Sequence, residues 1–491
     1  MSLDANLSLE QSLRLRLARA ETRRQFLKRS QTGLGALALA SLTGPDRPAR
    51  GADLAPGTAR TRPARAKSVI YLHMSGGPPQ QDLFDYKPLL VKHNMELCPE
   101  ELLKGQRFAF IKGRPKMLGT PYKFAPRGRS GQMMSDLLPH MADVADEITV
   151  IRSMVTTEFN HAPAELFVFT GSPRNGAASM GSWITYGLGS ENQDLPGFVV
   201  MISGGTDPTG GKALWSTAYL PSVFQGVQCR TVGDPVLYVG DPKGMTRADR
   251  RRTLDALDRL NRLEADEHGD PETLTRISQY ELAFRMQASV PDAMDVSREP
   301  ESIREEYGAV PGAASFANNC LLARRLVERG VRYVQLFDWG WDCHGTGPGD
   351  DIVQHLPRKC QDVDRPVGAL VRDLKRRGLL DETIVVWGGE FGRTSMNEAR
   401  GGSTFLGRDH HPHCFTLWVA GGGFKAGASV GSTDDLGSSI VEDPVPVHDL
   451  QATILHLLGI DPFTFRFPYQ GLEQRLIGVE DGVRIRKDLI A

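Results

Sequence analysis

Several potential metal ligands stand close together near residue 410. Asp409, His410, His411 and His413 place three imidazoles and one carboxylate within five residues. Imidazole and carboxylate groups together suit transition metals better than calcium. This pattern predicts a divalent metal site, with zinc or manganese as the expected ion. The alternative interpretation is a solvated loop of histidines.

Another candidate ligand, Glu390, lies in a glycine-rich turn upstream. The turn Gly388–Gly392 follows the β-branched apolar run Thr383–Trp387, which is typical of a buried strand in a parallel sheet. Open α/β sheets build their sites just past the C-terminal ends of strands, so Glu390 is well placed to bind a cation. Arg393 follows, and its guanidinium could either clamp an oxyanion through two donors or form a surface ion pair. Arg408 is a second basic group that could face an anion.

Asp342 and His344 occupy the same kind of position after a further predicted strand, Val331–Phe337. In extended backbone, residues i and i+2 point to the same side, so both side chains can reach one metal ion. As a core or loop pair they would need no metal.

Asp82 lies in the loop after the predicted first strand, Ser68–Met74, beyond a Gly-Gly-Pro-Pro turn. It is interpreted either as a metal ligand or as the cap of the next turn. Because the C-terminal ends of parallel strands share one edge of a sheet, we expect the candidate metal ligands to converge in one pocket. These ligands are Asp82, Asp342, His344, Glu390, Asp409, His410 and His413.

His161 is the main candidate for covalent chemistry. It precedes a predicted helix through Leu166 to Phe169, which Thr170 and Gly171 end. Backbone N–H groups at a helix N-terminus favour an anion. His161 could attack phosphorus as a nucleophile, bind the metal, or be a core histidine with its hydrogen bonds satisfied. Thr156 and Thr157, a few residues upstream, are more distant candidates for the nucleophile.

Strands and helices alternate around these residues. Further strands are predicted at Ile148–Arg152, Phe198–Ile202 and Phe415–Ala420, and an amphipathic helix at Val447–Ile460. This alternation predicts an α/β fold with a mostly parallel central sheet flanked by helices on both faces. A highly charged stretch at about 246–330 is expected to be a helical insertion with a solvated face.

Composition argues against several classes of protein. The 491 residues carry a net charge of −1 with the two signs mixed, which gives no support for nucleic-acid binding through a basic face. No apolar run reaches the ~18 residues that a transmembrane helix needs. The six cysteines show no Cys-x-x-Cys spacing, which argues against a zinc ribbon, although one or two disulfides are possible.

The N-terminal segment is predicted to be a twin-arginine export signal. Arg23 and Arg24 stand in the pattern Arg-Arg-Gln-Phe-Leu-Lys, and a mild apolar stretch follows from Leu34 to Leu42. The alternative is a basic amphipathic helix that contains two adjacent arginines by chance. We expect a signal peptide and linker at 1–66, one α/β domain at 67–480 and a C-terminal tail at 481–491. The mature protein would be periplasmic or extracellular, with the twin-arginine export machinery as a partner.

The order of motifs along the chain resembles the DUF1501 family. The motifs are the Gly-Gly-Pro turn with Asp-x-Phe-Asp at 82–85, FNHAPAELFVFTG at 159–171, WDCHG at 341–345, GGEFGR at 388–393 and GRDHHPHC at 407–414. This family comprises exported proteins of uncharacterised function and is placed with the alkaline phosphatases and sulfatases. The resemblance implies an alkaline-phosphatase-like fold over about 66–480. It also implies metal-dependent hydrolysis of phosphate or sulfate esters, on small molecules or on polysaccharide.

Two positions depart from the sulfatase pattern that this resemblance brings with it. His161 stands where sulfatases oxidise a cysteine to formylglycine, and Glu165 stands where they carry an arginine. A formylglycine hydrate cannot form from histidine, so the chain is predicted not to be a formylglycine sulfatase. Hydrolysis would then depend on His161 itself or on a hydroxide held by the metal. The alternative function is a non-catalytic metal- or ligand-binding or assembly protein on the same fold.

Overall fold

A computed structural model describes residues 58–236, 244–268 and 271–491 of the chain. The predicted twin-arginine motif and the apolar stretch after it lie outside these residues. The described strands are β1 Ser68–Ser75, β2 Phe124–Arg127, β3 Gln132–Ser135, β4 Ile148–Val155, β5 Phe198–Ser203, β6 Val227–Gln228, β7 Tyr333–Trp339, β8 Thr383–Gly388, β9 Gly392–Asn397, β10 Arg408–His411, β11 Phe415–Ala420, β12 Ser429–Val430, β13 Ser432–Thr433, β14 Ile440–Glu442, β15 Val445–Pro446, β16 Phe467–Tyr469 and β17 Leu472–Gln474.

The helices lie between these strands, mostly where the sequence predicts them. They are α1 Gln80–Leu83, α2 Pro88–Lys92, α3 Pro139–Ala142, α4 His161–Thr170, α5 Met180–Leu188, α6 Arg247–His268, α7 Pro271–Met294, α8 Glu301–Tyr307, α9 Phe316–Glu328, α10 His355–Arg376 and α11 Val447–Leu457. Helix α4 ends at Gly171, whose φ of 70° is the left-handed conformation that glycine adopts at low cost.

A mostly parallel sheet forms the centre of the fold, as the alternating pattern predicts. Within the described residues it has nine strands, in the order β12-β4-β11-β8-β1-β7-β5-β6, with β15 also paired to β4. Strand β11 runs antiparallel to both of its neighbours, β4 and β8, and the other pairs in this sheet are parallel. The C-terminal ends of β1, β4, β7 and β8 therefore share one edge, which the start of β11 joins.

The sheet is buried on both faces because helices cover each of them. On β1, Ile70, Leu72 and Met74 pack into one core with α9 and α10, while Val69 and Tyr71 pack into a second core with α4, α5 and α11. Burying one such side chain contributes about 1.5–3 kcal/mol. The predicted placement of helices on both faces is confirmed.

The segment after Glu390 differs from the polar loop that its composition suggests. Strands β9 and β10 pair there as an antiparallel two-stranded ribbon, with Arg393 opposite His410. Every residue of both strands is buried. The ladder satisfies the backbone polar groups of this buried segment, which an irregular loop would leave unpaired. The ribbon carries His410 back to the edge of the sheet.

The described residues between Leu257 and Leu274 are helical and belong to a compact unit separate from the one that holds the sheet. The unit with the sheet holds six cysteines, all buried and free of disulfides. Among the described residues, no helix is long and apolar enough to cross a membrane.

Candidate metal centre

Asp342 and His344 follow β7 and reach the same point, as their spacing predicts. The His344 Nε2 atom lies 2.8 Å from Asp342 Oδ1. Gly76, directly after β1, packs against the backbone of this segment. Its φ is +118°, and a Cβ at this position would stand 2.5 Å from the Asp342 nitrogen. The end of β1 thus lies directly against the segment that carries these two side chains.

His410, from strand β10, adds a second imidazole. Its Nε2 lies 3.2 Å from Asp342 Oδ1 and 3.1 Å from His344 Nε2. Its Nδ1 lies 2.7 Å from the Phe159 carbonyl oxygen, which can only accept, so this nitrogen carries a proton. The Nδ1 of His344 donates in the same way to the Glu398 carboxylate. In neutral rings, both Nε2 atoms therefore present lone pairs to Asp342 and to each other.

His161, the first residue of α4, adds a third imidazole. Its Nδ1 lies 2.6 Å from Glu390 Oε1, and its Nε2 lies 3.3 Å from Asp342 Oδ2. This Nε2 is buried and has no hydrogen-bond partner among the described residues. Glu390 is itself fixed by the Gly76 N–H, which donates to it at 3.0 Å.

Burial and neighbouring charges shift the pKa values of this group in opposite directions. For His161, burial opposes protonation, but the Asp342 and Glu390 carboxylates beside the ring raise the pKa to about 9. Burial lowers the pKa of His410 to about 4. For Asp342, burial acts to raise the pKa, but Arg393 and the three imidazoles hold it well below its usual range. The cluster thus keeps a carboxylate ionised beside a neutral His410.

These four side chains fit a divalent cation. Their ligand atoms, from His161, Asp342, His344 and His410, all lie within 4.8 Å of one another. Two ligands at about 2.05 Å from a tetrahedral ion stand about 3.3 Å apart. The three Nε2 atoms lie 2.8, 3.2 and 3.3 Å from the Asp342 oxygens, and those of His344 and His410 lie 3.1 Å from each other. Each ring also donates its Nδ1 proton to an oxygen, the arrangement that orients metal-binding histidines.

An aromatic residue from another segment covers the two inner imidazoles. The Phe110 ring meets His344 edge-on at 5.1 Å and His410 at 5.7 Å between centroids. The Arg400 guanidinium lies 3.6 Å from the centre of the Phe110 ring and also pairs with Glu398. One wall of the centre is therefore an aromatic ring held between a cation and two imidazoles.

Asp82 lies away from this cluster of ligand atoms. Its carboxylate accepts two hydrogen bonds from Arg408, at 2.8 and 3.1 Å, and both side chains are fully buried. Arg408 also donates to the Leu118 carbonyl oxygen at 2.9 Å. Asp82 and Arg408 thus form a buried ion pair, with their charges directed at each other.

Arg393, considered from the sequence as an oxyanion clamp, is fully buried and bonded within the protein. Its guanidinium donates to the carbonyl oxygens of Gly77 and Arg408, each at 2.9 Å, and also to Gly76. A further contact joins it to Asp342. In this arrangement Arg393 anchors Asp342.

The 409–413 cluster contributes His410 to this four-residue group. Asp409 forms a further group with His344 and Glu398 that could hold a metal ion, with ligand atoms within 4.8 Å of one another, and its Oδ2 accepts the Phe110 and Ile111 N–H groups at 2.7 and 2.9 Å. The His411 Nε2 faces the Ser438 carbonyl oxygen at 2.8 Å, and burial lowers the pKa of His411 to about 4. His413 is exposed and contacts the His411 ring.

Thr156 and Thr157, the distant nucleophile candidates, line a cavity of about 860 Å³ beside α4. None of the four clustered side chains lines that cavity. The cavity and the metal centre are thus lined by different side chains.

Glu398 accepts the Nδ1 proton of His344 but is not among the residues that the sequence singles out. It stands directly after β9, and no spacing rule links it to His344. The segments meet through backbone contacts: the Glu398 N–H donates to the Gly407 carbonyl oxygen, and the Arg408 N–H donates to the Cys343 carbonyl oxygen. The sequence offers no signal for Glu398, because its burial and its contact with His344 arise only in the fold.

A family model described as "Protein of unknown function (DUF1501)" matches residues 66–489. A search of the curated proteins finds no match.

Solved structures resemble the chain at low identity. A sulfatase from Pseudoalteromonas sp. is 11% identical with a TM-score of 0.33, over 81% of this chain and 68% of its own. A phosphonate monoester hydrolase from Silicibacter pomeroyi is 12% identical with a TM-score of 0.34, over 87% and 76%. A protein in the alkaline phosphatase superfamily from Vibrio parahaemolyticus is 14% identical with a TM-score of 0.32, over 87% and 74%. All three TM-scores lie below 0.5.

Proposed function

This chain belongs to the DUF1501 family, and we propose that it is a metal-dependent hydrolase of phosphate or sulfate esters. The observation that supports this proposal is the convergence of three histidine Nε2 atoms on the Asp342 carboxylate. This donor set suits zinc or manganese. Such a cation, when bound, supplies Lewis-acid activation of an ester and of water.

The protein's own residues hold this donor set in place. Glu390, Glu398 and the Phe159 carbonyl oxygen each accept an Nδ1 proton, which fixes three rings in one tautomer. Arg393 holds Asp342 from the buried side. These contacts pre-organise the centre, so that little rearrangement accompanies binding.

The open side of the centre lies at Asp342 and His161, whose side chains are 25% and 15% exposed. Helix α4 begins at His161, and its N-terminal N–H groups favour a negatively charged ligand. The ring of Trp339 stands 6.0 Å from that of His161 and borders the same side. An anionic ester would therefore approach at this side.

In this proposal His161 binds the cation and is not a nucleophile. Both of its nitrogens are engaged, with Nδ1 on Glu390 and Nε2 directed at Asp342. Hydrolysis through a formylglycine is not proposed, because position 161 is a histidine. Rapid quench with a phosphate ester should therefore trap no phosphohistidine, and an acid-labile phosphate on His161 would reverse this assignment.

The test combines metal analysis with an ester panel. Protein prepared without chelators should contain zinc or manganese and hydrolyse at least one aryl phosphate, phosphonate or sulfate ester. Asp342→Asn should lose the metal of this centre and the activity, whereas His448→Gln, which changes a histidine outside the centre, should keep both. Protein that carries no metal, or turnover that survives Asp342→Asn, would contradict the proposal.

A second function, metal-dependent binding without turnover, is favoured by one observation. No cysteine belongs to the clustered ligand group of the described residues, and Cys343, between two of its members in the sequence, is buried in the hydrophobic core. Bound metal together with no turnover across the ester panel would support this second function.

We also propose that the chain is exported by the twin-arginine route, because Arg23 and Arg24 stand in the sequence pattern of that signal. Replacing both by lysine should leave the protein in the cytoplasm on cell fractionation. A variant that still reaches the periplasm in normal amount would contradict this proposal.

A further inference from the structure

We propose that a second divalent cation binds on the inner side of the metal centre, between His73, Glu165 and Glu390. This site lies at the base of the sheet edge, and it does not depend on ester hydrolysis. His73 comes from β1, Glu165 from α4 and Glu390 from the turn after β8. All three side chains are fully buried, and their ligand atoms lie within 4.8 Å of one another.

The His73–Glu390 distance is that of two ligands around one ion, and the His73–Glu165 distance is slightly longer. The His73 Nε2 lies 3.7 Å from Glu165 Oε1 and 3.4 Å from Glu390 Oε2, too far for good hydrogen bonds. The same carboxylates make normal bonds elsewhere, Glu390 to His161 at 2.6 Å and Glu165 to Thr209 at 2.9 Å. Ligand atoms that share one tetrahedral ion stand about 3 to 3.5 Å apart. The contacts of these carboxylates with His73 are therefore longer than their hydrogen bonds to His161 and Thr209.

Buried polar atoms without hydrogen-bond partners belong to the residues of this site and to the same face of β1. In the described structure they include both ring nitrogens of His73, Glu165 Oε1, the Ser75 hydroxyl and the Tyr71 hydroxyl. Tyr71, His73 and Ser75 alternate along β1 and so face one side of the strand. Buried polar groups are nearly always paired, with protein, water or an ion. A cation and its water ligands would satisfy several of these atoms at once.

The charge of the cluster also matches a divalent ion. Glu165 and Glu390 bring two carboxylates into a fully buried region, where unpaired charge is costly. A divalent cation would balance both of them. The competing arrangement is a His73 imidazolium between the two carboxylates, which would leave one negative charge.

Glu390 links this second site to the first centre. Its Oε1 accepts the proton of His161 Nδ1, while its Oε2 faces His73. Apart from this link, the two sites use different side chains, so each can be removed separately. One nitrogen and two carboxylates suit manganese or zinc, with water completing the coordination.

Metal stoichiometry of the intact chain tests the inference. Chelator-treated protein is titrated with Zn²⁺ and, separately, with Mn²⁺, and bound metal is measured by elemental analysis after dialysis. We expect two equivalents for the unmodified chain. His73→Gln and Glu165→Gln should each bind one, Asp342→Asn should bind one, and His448→Gln should bind two.

The outcomes separate this inference from the proposed function. One equivalent in the unmodified chain, lost in Asp342→Asn and retained in His73→Gln, contradicts the second site alone and indicates the His73 imidazolium. No bound metal at all contradicts both proposals. Should the His73 and Glu165 variants fail to fold, anomalous diffraction from metal-loaded unmodified crystals decides, because the second site requires a peak bounded by His73, Glu165 and Glu390.

Discussion

The Nε2 atoms of His344 and His410 lie 3.1 Å apart, although neither ring in its neutral form has a proton to share there. Glu398 and the Phe159 carbonyl oxygen take the Nδ1 protons of these two rings. Two lone pairs at this distance repel each other unless a cation or a proton stands between them. The pair therefore holds electrostatic strain that metal binding would relieve.

Metal removal should lower stability. Chelation is expected to lower the Tm, and zinc or manganese at 100 times its Kd should restore about 2.7 kcal/mol. His344→Ala should reduce this response in differential scanning calorimetry, because it removes one of the facing nitrogens. An unchanged response in His344→Ala would contradict the assignment of this residue as a ligand.

Glu398 should act on metal affinity through His344. Glu398→Gln keeps the size of the side chain but weakens its hold on the His344 Nδ1 proton, and we expect metal affinity to fall about 10- to 100-fold. Competition with a chromogenic chelator measures this change. Glu382→Gln, which alters a carboxylate paired with Lys67 at the surface, is the control and should leave the affinity as it was.

Asp82 should matter for stability and leave metal content unchanged. Asp82→Asn removes the charge that balances buried Arg408, which should cost about 3–5 kcal/mol in the free energy of unfolding. Urea denaturation measures the loss. The folded fraction should keep its metal, and a loss of one equivalent would restore Asp82 as a ligand.

Asp409 should fasten the segment that carries Phe110. Asp409→Ala removes the acceptor of the Phe110 and Ile111 N–H groups. Hydrogen exchange should become faster at these two amides, while the amides of β1 serve as an internal reference. Equal protection in both proteins would show that other contacts hold the segment.

Asp373 should make stability depend on pH in the acid range. Burial acts to raise its pKa, but Arg377, Arg376 and Arg324 together lower it below the usual value near ~4. A carboxyl with a lowered folded pKa stabilises the protein above its unfolded pKa, and this stabilisation is lost as pH falls through the folded pKa. The free energy of unfolding should thus fall below about pH 4, and less steeply in Asp373→Asn.

The sequence predicts those parts of the site that depend on local geometry. Asp342 and His344 converge because alternate residues of an extended segment share a side. Helix α4 places His161 at the sheet edge for a similarly local reason, a helix start after a strand. The fold class follows from the alternation of strands and helices.

The remaining parts depend on tertiary pairing, which composition does not encode. Asp82 follows a strand end, as Asp342 and His344 do, but its carboxylate pairs with Arg408, which comes from the β9–β10 ribbon. His410 and His413 look equivalent in sequence, yet the β10 strand ends between them, so that one is buried and the other is exposed. Glu398 and Glu165 become relevant only through segments that fold against them.

The ligands of the metal centre come from segments far apart along the chain. His161 and its partner Glu390 are 229 positions apart, and His344 and His410 are 66 apart. No short fragment could capture the ion, because its donors meet only after the central sheet has assembled. For the proposed cation, folding would then precede loading, and the metal supply of the compartment in which the sheet forms would select the ion.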